Sequence, residues 1–276
     1  MYTDISLEIA DPVALIRLNR PAKLNAFTYP MLGEIRRAVD EAAADPRVVG
    51  IVITGNGRGF CAGLDAETLA ATTTSGDSTR QRPQRGTSAR GPMSGDEPPG
   101  LFSYFLRVPK PIIAAVNGVA AGGGFVLAAL CDLRFASTAA SFTSIFTKRG
   151  LVAEHGISWT VPRLVGTGRA LDLFWTSRRI DAAEAARIGL VEFVVEPAEL
   201  VDAASRYVAE LAASVSPAAL ADTKRMVYAH IGESYATALP DADETAWRAV
   251  ARPDAREGAQ ALLEKRAAKF TRLGKP

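Results

Sequence analysis

Short apolar strands alternating with helices, and few hairpins among them, predict an α/β fold. Three stretches carry that expectation. Val48-Val49-Gly50-Ile51-Val52-Ile53-Thr54 is a continuous apolar run, as in a strand of a sheet covered on both faces. Ala114 to Leu130 starts as an apolar run fit for a buried strand, turns through Asn117-Gly118, passes Gly122-Gly123-Gly124 and ends as an apolar run fit for a buried helix. From Glu154 onward the chain reads as nearly all helix.

In chain order, Ser6-Leu7-Glu8-Ile9 and Val13 to Leu18 flank Asp11-Pro12 and read as a hairpin. Asn19 to Ala26 is a loop. Thr28 caps a helix with Pro30 in its first turn and Met31, Ile35, Ala38, Val39 and Ala42 on its apolar face. Asp45-Pro46 stops that helix. The strand at Val48 to Thr54 is followed by the turn cluster Gly55 to Gly59 and then by Phe60 to Asp65. Residues 66–100 contain few apolar side chains and read as a mobile loop or insertion; Arg80, Arg82, Arg85 and Arg90 lie in it. Leu133 to Ala136 and Ser141 to Thr143 read as short strands. Helices are expected to begin near Glu154, Gly168, Ala182, Pro197, Pro217, Ala242 and Asp254. Gly189 closes the one that starts at Ala182. The last helix, Arg256 to Arg266, is amphipathic with little chain left to cover it, so it packs on a neighbouring subunit or back on the core. The division that follows is a core over 1–200 and a helical region over 201–276.

The totals narrow the function classes. At 276 residues the chain can bury a large core without staples. A net charge of +2 with 22% charged residues and no long basic block argues against a nucleic-acid protein. The two cysteines, Cys61 and Cys131, sit beside apolar or small residues and suggest neither a metal site nor a disulfide framework, but buried thiols in a reducing compartment. The N-terminus lacks a basic-then-apolar signal pattern, and no apolar run approaches the roughly 18 residues of a membrane span. A cytoplasmic enzyme or binding protein fits these totals.

Glycines at a helix start let another group approach closely and leave N–H donors free at the positive end of the helix dipole. The stretch at Gly122-Gly123-Gly124 therefore suits a phosphate or an oxygen gaining negative charge; close helix–sheet packing is the alternative, and both are open on composition alone. A dinucleotide fingerprint is rejected because Leu127 stands where its third glycine belongs. No G-x-S-x-G occurs for a serine hydrolase.

An ordered set of motifs resembles the crotonase superfamily, the enoyl-CoA hydratase/isomerase family. The set comprises Asn19-Arg20-Pro21 with Asn25-Ala26; Thr54-Gly55 with Phe60-Cys61-Ala62-Gly63-Leu64-Asp65; Pro111 to Gly118 with Gly122-Gly123-Gly124; Cys131-Asp132-Leu133; Pro162 to Gly166; Ala182 to Val191; and Glu257-Gly258 with Glu264-Lys265-Arg266. The resemblance implies a spiral of strand–strand–helix turns with a helical C-terminal region, assembled as trimers or paired trimers. It implies acyl-CoA thioester substrates with no metal or redox cofactor, and an oxyanion hole made by the Leu64 and Gly123 N–H groups. Lys23, Ala26 and Ala62 then fall at the nucleotide end of coenzyme A, with Asp65, Phe146, His155 and Trp159 as further substrate contacts. For several of these a bland role competes: local hydrogen bonding for Asp65, core packing for Phe146 and Trp159, a structural role for His155 and a solvated surface charge for Lys23.

The chain departs from the family's hydratases at both of their glutamates, where it carries Val126 and Phe146. The resemblance leaves Glu154 as the proton carrier, at a position where family members that shift double bonds place an acid. Taken alone, Glu154 reads as a helix-start carboxylate favourable to the dipole. Double-bond isomerisation is thus the leading expectation, with an atypical hydratase and a non-catalytic acyl-CoA-binding protein as alternatives.

Overall fold

The chain opens with the expected hairpin, β1 (Ile5–Ala10) antiparallel to β2 (Val13–Leu18), with Ile5 opposite Leu18 and Ala10 opposite Val13. The computed structural model describes residues 2–68, 70 and 101–274, so the segment 66–100 lies outside the described residues apart from 66–68 and 70. The Thr28 hydroxyl accepts the Met31 N–H at 3.3 Å and starts α1 (Tyr29–Ala44), whose apolar face is buried as its periodicity predicts.

From there the chain repeats one turn of a spiral. β3 (Gly50–Gly55) leads to β4 (Gly59–Cys61); β5 (Ile112–Val116) leads to β6 (Val119–Ala121) and α2 (Gly123–Leu130); β7 (Leu133–Ser137) leads to β8 (Ser141–Thr143), α3 (Ile157–Val165) and α4 (Thr167–Thr176). The first strand of each pair joins a six-stranded sheet, ordered β1-β2-β3-β5-β7-β10, and the second joins a four-stranded sheet, ordered β4-β6-β8-β9. β9 (Ile180–Asp181), α5 (Ala182–Arg187) and β10 (Phe193–Val195) complete the sheets. Except for the β1–β2 and β8–β9 pairs, the ladders are parallel. Val119–Ala121, which sequence folds into the glycine turn, forms a strand because β4 and β8 pair it from both sides.

Both faces of the central strands β3 and β5 are covered, which is why they read as unbroken apolar runs. Ile51, Ile53, Ile112, Ala114 and Val116 face the main core with α1 and α2. Val49, Val52, Ile113, Ala115 and Phe135 face Leu200, Ala204 and Val208 of α6 (Leu200–Ser214). The helix that starts the region 201–276 therefore belongs to the core layer. The helices peripheral to the sheets begin later, at α7 (Pro217–His230), α8 (Tyr235–Val250) and α9 (Pro253–Glu264).

Three helix starts differ from the sequence expectation. α6 begins at Leu200 rather than near Pro197, behind a 3-10 turn over Pro197–Glu199. α8 begins seven residues before Ala242, because the Ser234 hydroxyl accepts the Thr237 N–H and Pro240 is tolerated inside the helix. α3 begins at Ile157 rather than near Glu154, because His155 (φ +56°) and Gly156 (φ +86°) turn the chain just before it. α7 is tied to the core by Lys224, 2.6 Å from the Asp132 carboxylate, and by the Tyr228 hydroxyl, which donates to the other Asp132 oxygen at 2.9 Å. α9 packs on α8 and buries Ala261, yet leaves Leu262 and Leu263 about four-fifths exposed at 79% and 84%. Among the described residues no helix is long and apolar enough to cross a membrane.

Candidate active site

The end of β4 carries Ala62-Gly63-Leu64-Asp65. Ala62 N–H donates to the Leu24 carbonyl at 3.0 Å. Phe27 then runs alongside: its N–H donates to the Gly63 carbonyl at 2.7 Å, and its carbonyl accepts the Asp65 N–H at 2.9 Å. This bridge uses the groups on either side of Leu64 and leaves the Leu64 N–H outside it.

The second segment is the start of α2. Gly122 (φ +51°) precedes it, donates its N–H to the Thr143 carbonyl at 3.2 Å, and accepts the Val126 N–H at 3.0 Å. Gly123 is the first helical residue, so its N–H has no partner within the helix. Close approach explains the glycines. A Cβ on Gly124 would stand 2.1 Å from the Cys61 carbonyl oxygen, so α2 lies directly on β4. A Cβ on Gly63 (φ +93°) would stand 2.8 Å from the Ala121 carbonyl oxygen and 3.1 Å from the Gly123 nitrogen. The segments bearing the Leu64 and Gly123 N–H groups are thus in contact. Close packing and a free helix start, alternatives on sequence grounds, occur together here.

The two expected acid positions are apolar and buried. Val126, one turn into α2, is 0% exposed, and Phe146 lies in the same core. Ile145, the residue before Phe146, has φ +60°, an outlier for a β-branched residue, and its Cγ2 is 3.3 Å from where a Gly122 Cβ would stand. A cluster of hydroxyls anchors this segment: Ser144 and Thr147 lie 3.2 Å and 2.8 Å from the Ser177 hydroxyl.

Glu154 and His155 lie at the approach to α3, and Trp159 lies in its first turn. The Glu154 carboxylate is partly exposed and 3.6 Å from the His155 Nε2. Glu154 lies two residues before the cap residue Gly156, outside the first turn of α3, and its carbonyl accepts the Ile157 N–H at 3.3 Å. Trp159 is half-buried; the Arg163 guanidinium stacks 4.2 Å from its ring centroid. Lys23 reaches solvent and stands 3.8 Å from the Glu67 carboxylate, while Ala26 is buried beside it.

Asp65 faces inward and is 6% exposed. Its Oδ1 accepts the Glu67 N–H at 3.1 Å and its Oδ2 accepts from Arg20 at 3.3 Å. Burial raises its carboxyl, but the Glu67 N–H and the Arg20 guanidinium outweigh burial and hold it below the usual carboxylate range. The local-bonding reading of Asp65 is the one these contacts fit, since the carboxylate is committed to protein partners. Arg20 itself escaped the sequence reading except as part of a motif; the signal was an arginine and an aspartate beside the two ends of one bridge, which only the pairing reveals. Among the described residues, no group of three or more His, Cys, Asp or Glu side chains could hold a metal ion.

A family model described as enoyl-CoA hydratase/isomerase matches residues 8–273. A probable enoyl-CoA hydratase of Rhodobacter capsulatus is 34% identical over 98% of this chain and 98% of its own. The 1,2-epoxyphenylacetyl-CoA isomerase of Escherichia coli is 32% identical over 94% of this chain and 95% of its own. Among solved structures, an enoyl-CoA hydratase of Bacillus anthracis superposes with a TM-score of 0.84 at 30% identity, covering 98% of this chain and 99% of that one.

Proposed function

The chain belongs to the enoyl-CoA hydratase/isomerase family, and on that premise we propose that it is a double-bond isomerase of acyl-CoA thioesters. The observation that carries this reading is the pair of buried apolar side chains, Val126 and Phe146, where hydratase acids are expected. Neither can position a water or move its proton. Glu154 is then the carboxylate left for proton transfer.

In this reading Glu154 takes a proton from C2 of a 3-enoyl thioester. The electron pair delocalises to the thioester oxygen, which the Leu64 and Gly123 N–H groups receive. Donors set in place before the reaction stabilise such an oxyanion by about 3 kcal/mol each. Glu154 returns the proton at C4, the double bond moves to C2–C3, and no water is consumed. Lys23, Ala26 and Ala62 hold the nucleotide end; His155, Trp159 and Phe146 border the acyl end. Assembly into trimers or paired trimers is part of this reading, and burial of the exposed Leu262 and Leu263 against another subunit would fit it.

The test is a panel of 2-enoyl, 3-enoyl and aromatic acyl-CoA thioesters, the last prompted by the epoxyphenylacetyl-CoA relative. A 3-enoyl thioester is isomerised, and Glu154→Gln lowers kcat by about 10²- to 10⁴-fold, the usual worth of a positioned acid–base group. Loss of the conjugated absorbance of crotonyl-CoA without isomerisation would make the chain a hydratase instead. Binding without any exchange of C2 protons with deuterium oxide would leave a non-catalytic acyl-CoA-binding protein.

A further inference from the structure

We infer that Arg20 is a positioning residue that sets the direction of the Leu64 N–H. The inference rests on the use of that N–H as an oxyanion donor in the reading above. Leu64 hangs between two hydrogen bonds to Phe27, one through the Gly63 carbonyl and one through the Asp65 N–H, at 2.7 and 2.9 Å. The Arg20 guanidinium grips both strands of that bridge. One terminal nitrogen donates to the carbonyl of Ala26, the residue before Phe27. The other donates to the carboxylate of Asp65, the residue after Leu64, at 3.3 Å.

The base of the fork is itself fixed. Arg20 N–H donates to the Asn25 side-chain oxygen at 2.8 Å, and the Arg20 carbonyl accepts the Asn25 N–H at 2.9 Å. Asn25 is fully buried, with φ +57°, and its side-chain amide donates to the carbonyls of Asn56 and Gly59 at 3.0 and 2.8 Å. Arg20 therefore joins a rigid loop to the strand end that carries Leu64.

Removing the guanidinium leaves a buried carboxylate that must take up a proton, draw in water or move, and each response shifts the Leu64 peptide. Lysine keeps the charge, but its single nitrogen cannot reproduce a fork that serves Ala26 and Asp65 together. The Gly123 donor borders the same bridge, since a Cβ on Gly123 would stand 3.2 Å from the Phe27 ring, but its segment is also set by the close contact of Gly124 with the Cys61 carbonyl. Loss of Arg20 thus acts first on the Leu64 donor.

The experiment compares wild type, Arg20→Lys, Asp65→Asn and Glu154→Gln. The first readout is kcat against KM on a 3-enoyl-CoA. The second is the carbonyl stretch of bound butyryl-CoA, a saturated thioester with no double bond to move, followed by isotope-edited vibrational spectroscopy. A fixed donor lowers that stretch. Arg20→Lys is expected to reduce kcat about ten- to a hundredfold, below the full 10²- to 10³-fold worth of one donor. Its KM stays within about twofold, because the contact strengthens in the transition state. Its bound carbonyl stretch returns part of the way to the solution value. Asp65→Asn moves both quantities the same way by less, and carries the test if thermal melting shows that Arg20→Lys does not fold. Glu154→Gln keeps the lowered stretch and loses turnover. Wild-type kcat and stretch in both Arg20→Lys and Asp65→Asn, or a change confined to KM, overturns the positioning role alone. An unshifted carbonyl in wild type removes the oxyanion reading, and this inference with it.

Discussion

The Leu64 segment is held by backbone hydrogen bonds and a side-chain ion pair, whereas the Gly123 segment is held by backbone contact. Arg20 and Asp65 clamp the first from outside the bridge to Phe27. The second has no such clamp; Gly124 sits against the Cys61 carbonyl at a distance that admits no Cβ. The contrast teaches that two neighbouring N–H groups in one site can fail by different routes. The glycine side responds to added volume, the arginine side to altered charge.

The largest effect is expected at Gly124. Alanine there places a Cβ 2.1 Å from the Cys61 carbonyl oxygen, with backbone on both sides of the clash. Overpacking of this kind usually costs about 1–3 kcal/mol and more where backbone must shift, so Gly124→Ala should lose about 3 kcal/mol or fail to fold. Urea denaturation measures it; a wild-type midpoint would mean that α2 is free to move off β4.

Gly63→Ala comes next. Its φ of +93° and the 2.8 Å approach to the Ala121 carbonyl oxygen combine strain with a milder clash. A loss of about 1–3 kcal/mol is expected from the backbone conformation. Catalysis should suffer beyond the stability loss, since Gly63 touches both segments, and kcat measured well below the melting temperature separates the two.

Acid should act on the Leu64 side alone. The Asp65 carboxyl lies below its ordinary value in the folded chain, because the Glu67 N–H and Arg20 outweigh the opposing effect of burial. It therefore contributes stability that is present above the unfolded carboxylate value of about 4 and is lost as pH falls through the lower folded value. The stability difference between wild type and Asp65→Asn should shrink as pH drops below that range. Denaturation midpoints from pH 7 to pH 3 test this; a constant difference would mean that the Asp65 charge does no stabilising.

The smallest effect is a null reaction that reports on the seal between the segments. Burial pushes the Cys61 thiol up to about 12, so the nucleophilic thiolate is nearly absent at pH 8. Native protein should be inert to a thiol reagent there, and both cysteines should titrate in urea. Rapid modification of native Cys61 would show that the β4–α2 contact opens.

Much of the fold was legible because it is written in short-range patterns. The Thr28 cap and the apolar face of α1 depend on residues within one or two turns, and the β3 run reflects two covered faces. The strand at Val119–Ala121 was not legible, since three residues carry no period and only the neighbours on each side make it a strand. The same holds for α6, whose apolar stripe suits a peripheral helix as well as a layer on the large sheet.

The site divides along the same line. The sequence alone determined the residue types: glycines at a helix start, valine and phenylalanine at the two positions where acids are expected, and a carboxylate at Glu154. Tertiary structure alone decided which groups meet: the contact of Gly63 with the Gly123 segment, the burial of Val126 and Phe146, and the reach of Arg20 to Asp65 across 45 positions. The physical reason is range. Caps, turns and periodic faces act within a few residues and leave a trace in spacing. A partly buried ion pair forms only after the bridge between Phe27 and Leu64 has brought distant segments side by side.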